Sequence, residues 1–90
     1  LPKATSASRQ AQDSDYTAIT VTRTGEIFFN KIQVQMSQLR ENLKELKARQ
    51  ADPLVLLNGD DQASLGKVVE ILDEARKLGI KRVAIQTRQA

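Results

Sequence analysis

The run Leu54-Val55-Leu56-Leu57, closed by Asn58-Gly59, constrains this chain more than any other stretch. Side chains alternate between faces along an extended strand, so four consecutive apolar residues put apolar surface on both faces. Such a run reads as a strand that lies inside a sheet and is covered on each side. The segments around it must therefore supply neighbouring strands and a covering layer.

The preceding segments fit that demand. From Tyr16 to Thr22 the chain is rich in β-branched residues, with Ile19 and Val21 on one face and Thr20 and Thr22 on the other. Arg23-Thr24-Gly25 supplies a turn, and Glu26 to Asn30 reads as a second strand, which completes a hairpin. Met36, Leu39, Leu43 and Leu46 then recur at helical spacing. That stripe is too short for a coiled-coil seam and is read as core. The helix is expected to stop before Asp52-Pro53, because the residue before proline avoids helical angles.

Beyond the apolar run, Asp60, Asp61, Gln62 and Ala63 form a loop, and Ser64 is a good helix N-cap. The following helix is expected to bury Leu65, Val68, Val69, Leu72 and Ala75. Gly79 suits a left-handed C-terminal cap, and Arg82 to Thr87 forms the last strand. The order β-β-α-β-α-β predicts an α+β domain: one four-stranded mixed sheet with two helices on one face, since strand–helix–strand crossovers are right-handed. Phe28 and Phe29 must point to opposite faces, so apolar surface is expected on the face without helices or beneath another chain.

Residues 1–15 are small and polar without a hydrophobic period and read as a flexible linker, with the domain over residues 16–90. The linker would span roughly 50 Å fully extended. The chain opens on Leu1 rather than Met and is expected to be a segment of a longer protein. Nowhere does an apolar run approach the roughly 18 residues of a membrane helix. A domain this small gains little from its own core and usually needs a staple. With no Cys and no metal ligand set, self-association is the remaining staple, so a homodimer is expected.

Composition narrows the chemistry further. There is no His, Cys or Trp, which removes His-based triads, cysteine nucleophiles and most transition-metal sites. No nucleophile–base pair is visible, so an enzyme is not expected, and no cofactor is implied. Asp60-Asp61 could serve a cation or proton work, but no second ligand cluster accompanies it, and loop solvation near a helix N-terminus explains it as well. Gly59 to Lys67 does not match a phosphate-binding loop, because the spacing is wrong and two carboxylates intervene. The net charge of +3 invites a nucleic-acid reading. The charges of the first helix alternate in sign, however, which favours an ordinary solvated face and no nucleic acid. The sheet edges are the stronger candidates, because a free edge accepts an added strand. In the last strand, Arg82, Val83, Ala84, Ile85, Gln86 and Thr87 contain no proline, though Arg82 and Arg88 flank it. Partner-strand addition and a charge-protected edge both remain open on this reading.

Several local strings, in order, resemble the ExbD/TolR family of bacterial inner-membrane proteins. Leu1-Pro2-Lys3-Ala4 is similar to the Leu-Pro stretch after the family's single membrane helix, and Ile19-x-Val21 with Gly25-Glu26-Ile27 to its first hairpin. Leu57-Asn58-Gly59-Asp60, Gly66-Lys67-Val68-Val69-Glu70-Ile71-Leu72-Asp73 and Leu78-Gly79-Ile80-Lys81-Arg82-Val83-Ala84-Ile85-Gln86-Thr87 resemble its strand end, second helix and closing strand. Where the family often has Val-Pro-Tyr, this chain has Ala63-Ser64-Leu65, so no role of that Pro or Tyr carries over.

The resemblance implies the periplasmic domain of a single-pass inner-membrane protein in a proton-driven motor. The proton-coupling Asp would lie in the membrane helix, inside a channel built by an ExbB-like subunit and outside this chain. The domain would dimerise, take a TonB-like transducer by strand addition, or bind peptidoglycan as in the TolR branch. The expected interface is Arg82 to Thr87, with Val83 and Ile85 as apolar contacts.

Overall fold

A computed structural model describes residues 16–88. The linker expected over residues 1–15 lies outside the described residues. Seven elements follow one another: β1 (Thr17–Val21), β2 (Ile27–Phe29), β3 (Ile32–Val34), α1 (Met36–Arg49), β4 (Leu54–Asp60), α2 (Leu65–Lys77) and β5 (Arg82–Arg88). They form an α+β fold with a single mixed sheet of strand order β3-β2-β1-β4-β5. β2 is antiparallel to both β1 and β3, whereas β4 is parallel to both β1 and β5.

The sheet has five strands, not the expected four. The extra strand is β3, and a tight turn at Asn30-Lys31 creates it. Both residues have positive φ, 51° and 75°. That pair of angles defines the hairpin turn whose twist matches the flanking strands. Asn30 tolerates this conformation, and its side-chain Oδ1 accepts from the Ala18 N–H at 3.1 Å while its own N–H donates to the Ala18 carbonyl at 2.8 Å. Lys31 has no such compensation, and a side chain in the left-handed region costs about 1–2 kcal/mol. Lys31→Gly is therefore expected to stabilise the domain by roughly 1 kcal/mol, after the extra chain entropy of glycine is deducted. A urea unfolding midpoint that falls in this variant would contradict the turn.

The first hairpin turns at Gly25, whose φ of 89° closes a short loop in which the Gly25 N–H donates to the Thr22 carbonyl. α1 begins at Gln35 without a side-chain cap and ends at Arg49, before Asp52-Pro53 as expected. Ser64 caps α2 by accepting from the Lys67 N–H. At the other end, Gly79 takes φ 84°, its N–H donates to the Arg76 carbonyl, and the Ile80 N–H donates to the Ala75 carbonyl. Those two bonds engage carbonyls of the last helical turn, and Ile80 is buried in the core.

Register assigns each residue to a face. Ile19 lies opposite Phe29 and Leu57, and Leu57 lies opposite Ile85. This row, with Val21, Ile27 and Val55, faces both helices, which contribute Leu39, Leu43, Leu46, Ile71 and Ala75 to one continuous core. Arg40 on α1 reaches Glu74 on α2 at 3.7 Å and ties the helices across their outer side. The opposite face carries Ala18, Leu54, Leu56 and Phe28, half-buried without a covering helix. This accounts for the two-sided apolar run, which sits in the second-to-last strand rather than beneath a second layer.

α2 departs from its expected packing. Ile71 and Ala75 are buried, Val68 and Leu72 half-buried, but Leu65 and Val69 are 75% and 53% exposed. The stripe that meets the sheet is centred on Val68, Ile71, Leu72 and Ala75, and Leu65 and Val69 fall on its flank.

Candidate interaction edge

Strand order decides which backbone groups lack a partner. β5 bonds to β4 alone and forms one edge, and β3 forms the other. β3 has three residues and β5 has seven, so β5 is the only long edge among the described residues. Its residues divide between faces by their partners. Val83, Ile85 and Thr87 pair with Val55, Leu57 and Gly59 on the helix side, and Arg82, Ala84 and Gln86 pair with Leu54, Leu56 and Asn58 on the other.

The residues expected to form an interface thus lie along one edge. Ile85 is 59% exposed, Val83 half-buried, and Arg82, Ala84, Gln86 and Thr87 exposed. Between Val83 and Thr87 no residue is charged, although edge strands usually carry charge as a guard. Arg82 is turned to the molecule itself: its guanidinium approaches the Asp52 carboxylate at 3.7 Å and donates to the Asp52 carbonyl at 3.4 Å.

Beside β5 lies a cleft of about 260 Å³, floored by Leu57 and Ile85 and walled by Ala63, Leu65 and Val68 of the loop and α2. Here the exposed Leu65 finds its place, next to the exposed Ile85. Reading the two helix stripes against each other could have found it, because counting Ile71 into the buried face turns Leu65 outward.

Asp60 and Asp61 line the same cleft. Asp60 ends β4, its Oδ1 accepts from the Gln62 N–H at 2.8 Å, and Arg23 lies 3.8 Å away. It shapes the turn into α2. Asp61 is exposed beside it. Among the described residues, no three His, Cys, Asp or Glu side chains gather as a metal group. Cations of the hairpin and α1 are interleaved with acids, Arg23 with Asp60, Arg40 with Glu74 and Lys44 with Glu41. Asp73 on α2 is held below the usual carboxylate range by its hydrogen bonds from Arg76 and Lys77.

A strand edge uncharged from Val83 to Thr87, beside a cleft with an apolar floor, has the features of a strand-addition site, in which backbone groups supply affinity and side-chain pockets supply selectivity. The family described as "Biopolymer transport protein ExbD/TolR" matches residues 1–90, and this chain belongs to the ExbD/TolR family. Biopolymer transport protein ExbD of Pseudomonas aeruginosa is 31% identical over 87 residues, 97% of this chain and 65% of that protein. Biopolymer transport protein exbD2 of Vibrio cholerae is 31% identical over 84 residues, 93% of this chain and 61% of that protein. The chain therefore spans somewhat less than two thirds of either relative. The family is one of transport proteins and not of enzymes.

Proposed function

We propose that this chain is the periplasmic domain of an ExbD-like subunit in a proton-motive-force-driven inner-membrane motor. It dimerises through β5 and takes an extended segment of a TonB-like transducer as an added strand on the same edge. The observation that carries this reading is the uncharged edge from Val83 to Thr87 with Ile85 exposed beside a cleft whose floor is apolar. An ExbB-like channel subunit would be met by a membrane helix beyond residues 1–90, and among the described residues no helix is long and apolar enough to cross a membrane. The proton chemistry belongs to that helix, so the domain's work is mechanical and recognitional.

Because both partners draw on one strand, they exclude each other on any single copy. Titrating the domain with a transducer peptide is expected to shift the amides of residues 82–88 and to lower the dimer fraction in light scattering as the peptide saturates. Absence of shifts at millimolar peptide would refute the transducer part. The TolR branch of the same family motivates a second reading, peptidoglycan binding. Co-sedimentation with purified peptidoglycan separates the two, since a domain that serves only the transducer stays in the supernatant.

A further inference from the structure

We infer that the segment added to β5 carries a lysine or an arginine beside Ile85, with its aliphatic stem along the floor of the cleft and its cation at Asp61 on the rim. The inference rests on the strand addition proposed above and names the chemistry of the partner.

The cleft opens toward the carboxyl ends of the parallel strands β4 and β5, where Gly59 and Asp60 of one and Gln86 and Thr87 of the other line it. In sheets of parallel strands this is the end at which ligands are held. Successive residues of an added strand point to opposite faces, so every second side chain falls on the helix-covered face, in line with Ile85. Directly opposite side chains in a sheet have Cβ atoms about 4.5–5.5 Å apart. A residue paired with Ile85 therefore stands at the mouth of the cleft, which the 75% exposed Leu65 of α2 also lines.

Charge decides which side chain fits there. The lining contains two carboxylates, Asp60 and Asp61, and no lysine or arginine. Asp60 is engaged with Arg23 at 3.8 Å and with the Gln62 N–H at 2.8 Å, whereas Asp61 is exposed on the loop. Apolar surface from Leu57, Ile85, Leu65 and Val68 adjoins both acids. Lysine and arginine are the side chains that lay a methylene stem along apolar surface and keep a charged head in water. A norleucine side chain would cover the same floor and leave the Asp61 carboxylate unanswered. A glutamate would set like charges together at the rim, which selects against it.

The test titrates the full chain with blocked peptides Thr-Val-Thr-X-Thr-Val-Thr, in which X is lysine, norleucine or glutamate and shares its face with the valines. The amides of residues 82–88 report binding by NMR. At low ionic strength the lysine peptide is expected to bind about two- to fivefold more tightly than the norleucine peptide, the size of one exposed ion pair, and about tenfold more tightly than the glutamate peptide. Near roughly 1 M salt, where the screening length falls to about 3 Å, the three affinities should converge. Asp61→Asn should remove the preference for lysine and leave norleucine binding within about twofold, and Glu41→Gln on α1 should leave the preference intact. Equal binding of the lysine and norleucine peptides, or a preference that survives Asp61→Asn, would overturn the inference with strand addition still standing. Shifts confined to Asp61 and Leu65, with the β5 amides unmoved, would mark a site for a free cation rather than for a strand and would overturn it too. If no peptide shifts residues 82–88 at millimolar concentration, strand addition itself falls, and the inference with it.

Discussion

Leu43→Ala is expected to lower the melting temperature of the domain by about 10–30 °C, and to leave a large share of molecules unfolded at the upper end. Leu43 is 0% exposed, between Leu39 and Leu46 on the buried stripe of α1, in the core shared with Ile19, Val21, Val55 and Leu57. Truncating a buried Leu removes its transfer free energy and leaves a cavity, together about 2–5 kcal/mol. A domain of this size has roughly 4–11 kcal/mol in total at about 0.05–0.15 kcal/mol per residue. One methyl-rich side chain is therefore a large fraction of the whole. Lys44→Ala, one position on with a side chain 60% exposed, is the control and should move stability by less than about 0.5 kcal/mol. Melting curves that coincide for the two variants would mean that α1 does not pack on the sheet as described.

Ile85→Lys is expected to act the other way round, with little effect on the fold and a large one on association. Ile85 is 59% exposed, so only about half of the roughly 1.5–3 kcal/mol available from burying an Ile remains to be gained on pairing. Each dimer contains two such contacts, which corresponds to a rise in Kd of about 10- to 150-fold when both are lost. A lysine on an edge strand also guards it against further strands, as natural edges do. Sedimentation equilibrium should report the weakened dimer, and titration of a transducer peptide should show the same loss at β5. The unfolding midpoint should stay close to that of the parent. Dimerisation unaffected by the lysine would remove β5 from the interface.

The two uses proposed for β5 would give the fold a mechanical meaning. Strands pulled in shear load several backbone hydrogen bonds together, and β5 is parallel to β4 along its whole length. The apolar floor of the cleft comes from the two strands of that pair, Leu57 and Ile85. A partner held on the edge would thus pull against the most extensively paired part of the sheet.

Much of this was legible in the order of residues. The stripes of α1, the two-faced run at Leu54 to Leu57, Ser64 as a cap and Gly79 as a left-handed stop each depend on neighbours within a turn or two. β3 was not legible, because Ile32-Gln33-Val34 is only three residues long and its turn uses Asn-Lys rather than Asn-Gly. Asn58-Gly59 misled in the opposite sense: β4 continues through both to Asp60, since pairing with β1 and β5 supplies the hydrogen bonds that local preference withholds.

Local periodicity was enough to name the helices and four of the strands, because amphipathic patterning is a property of a few adjacent residues. The covering of the Leu54–Leu57 run was a different matter. Its outer face is half-buried by neighbouring strands, and no local signal could say so. Nor could any local signal make β5 the edge, or bring Leu65 of α2 beside Ile85, twenty residues further along the chain. Those depend on two crossovers that carry the chain from β3 past β2 and β1 to β4 and on to β5. Strand order is set by the packing of whole elements over a shared core, and it is strand order that exposes the edge.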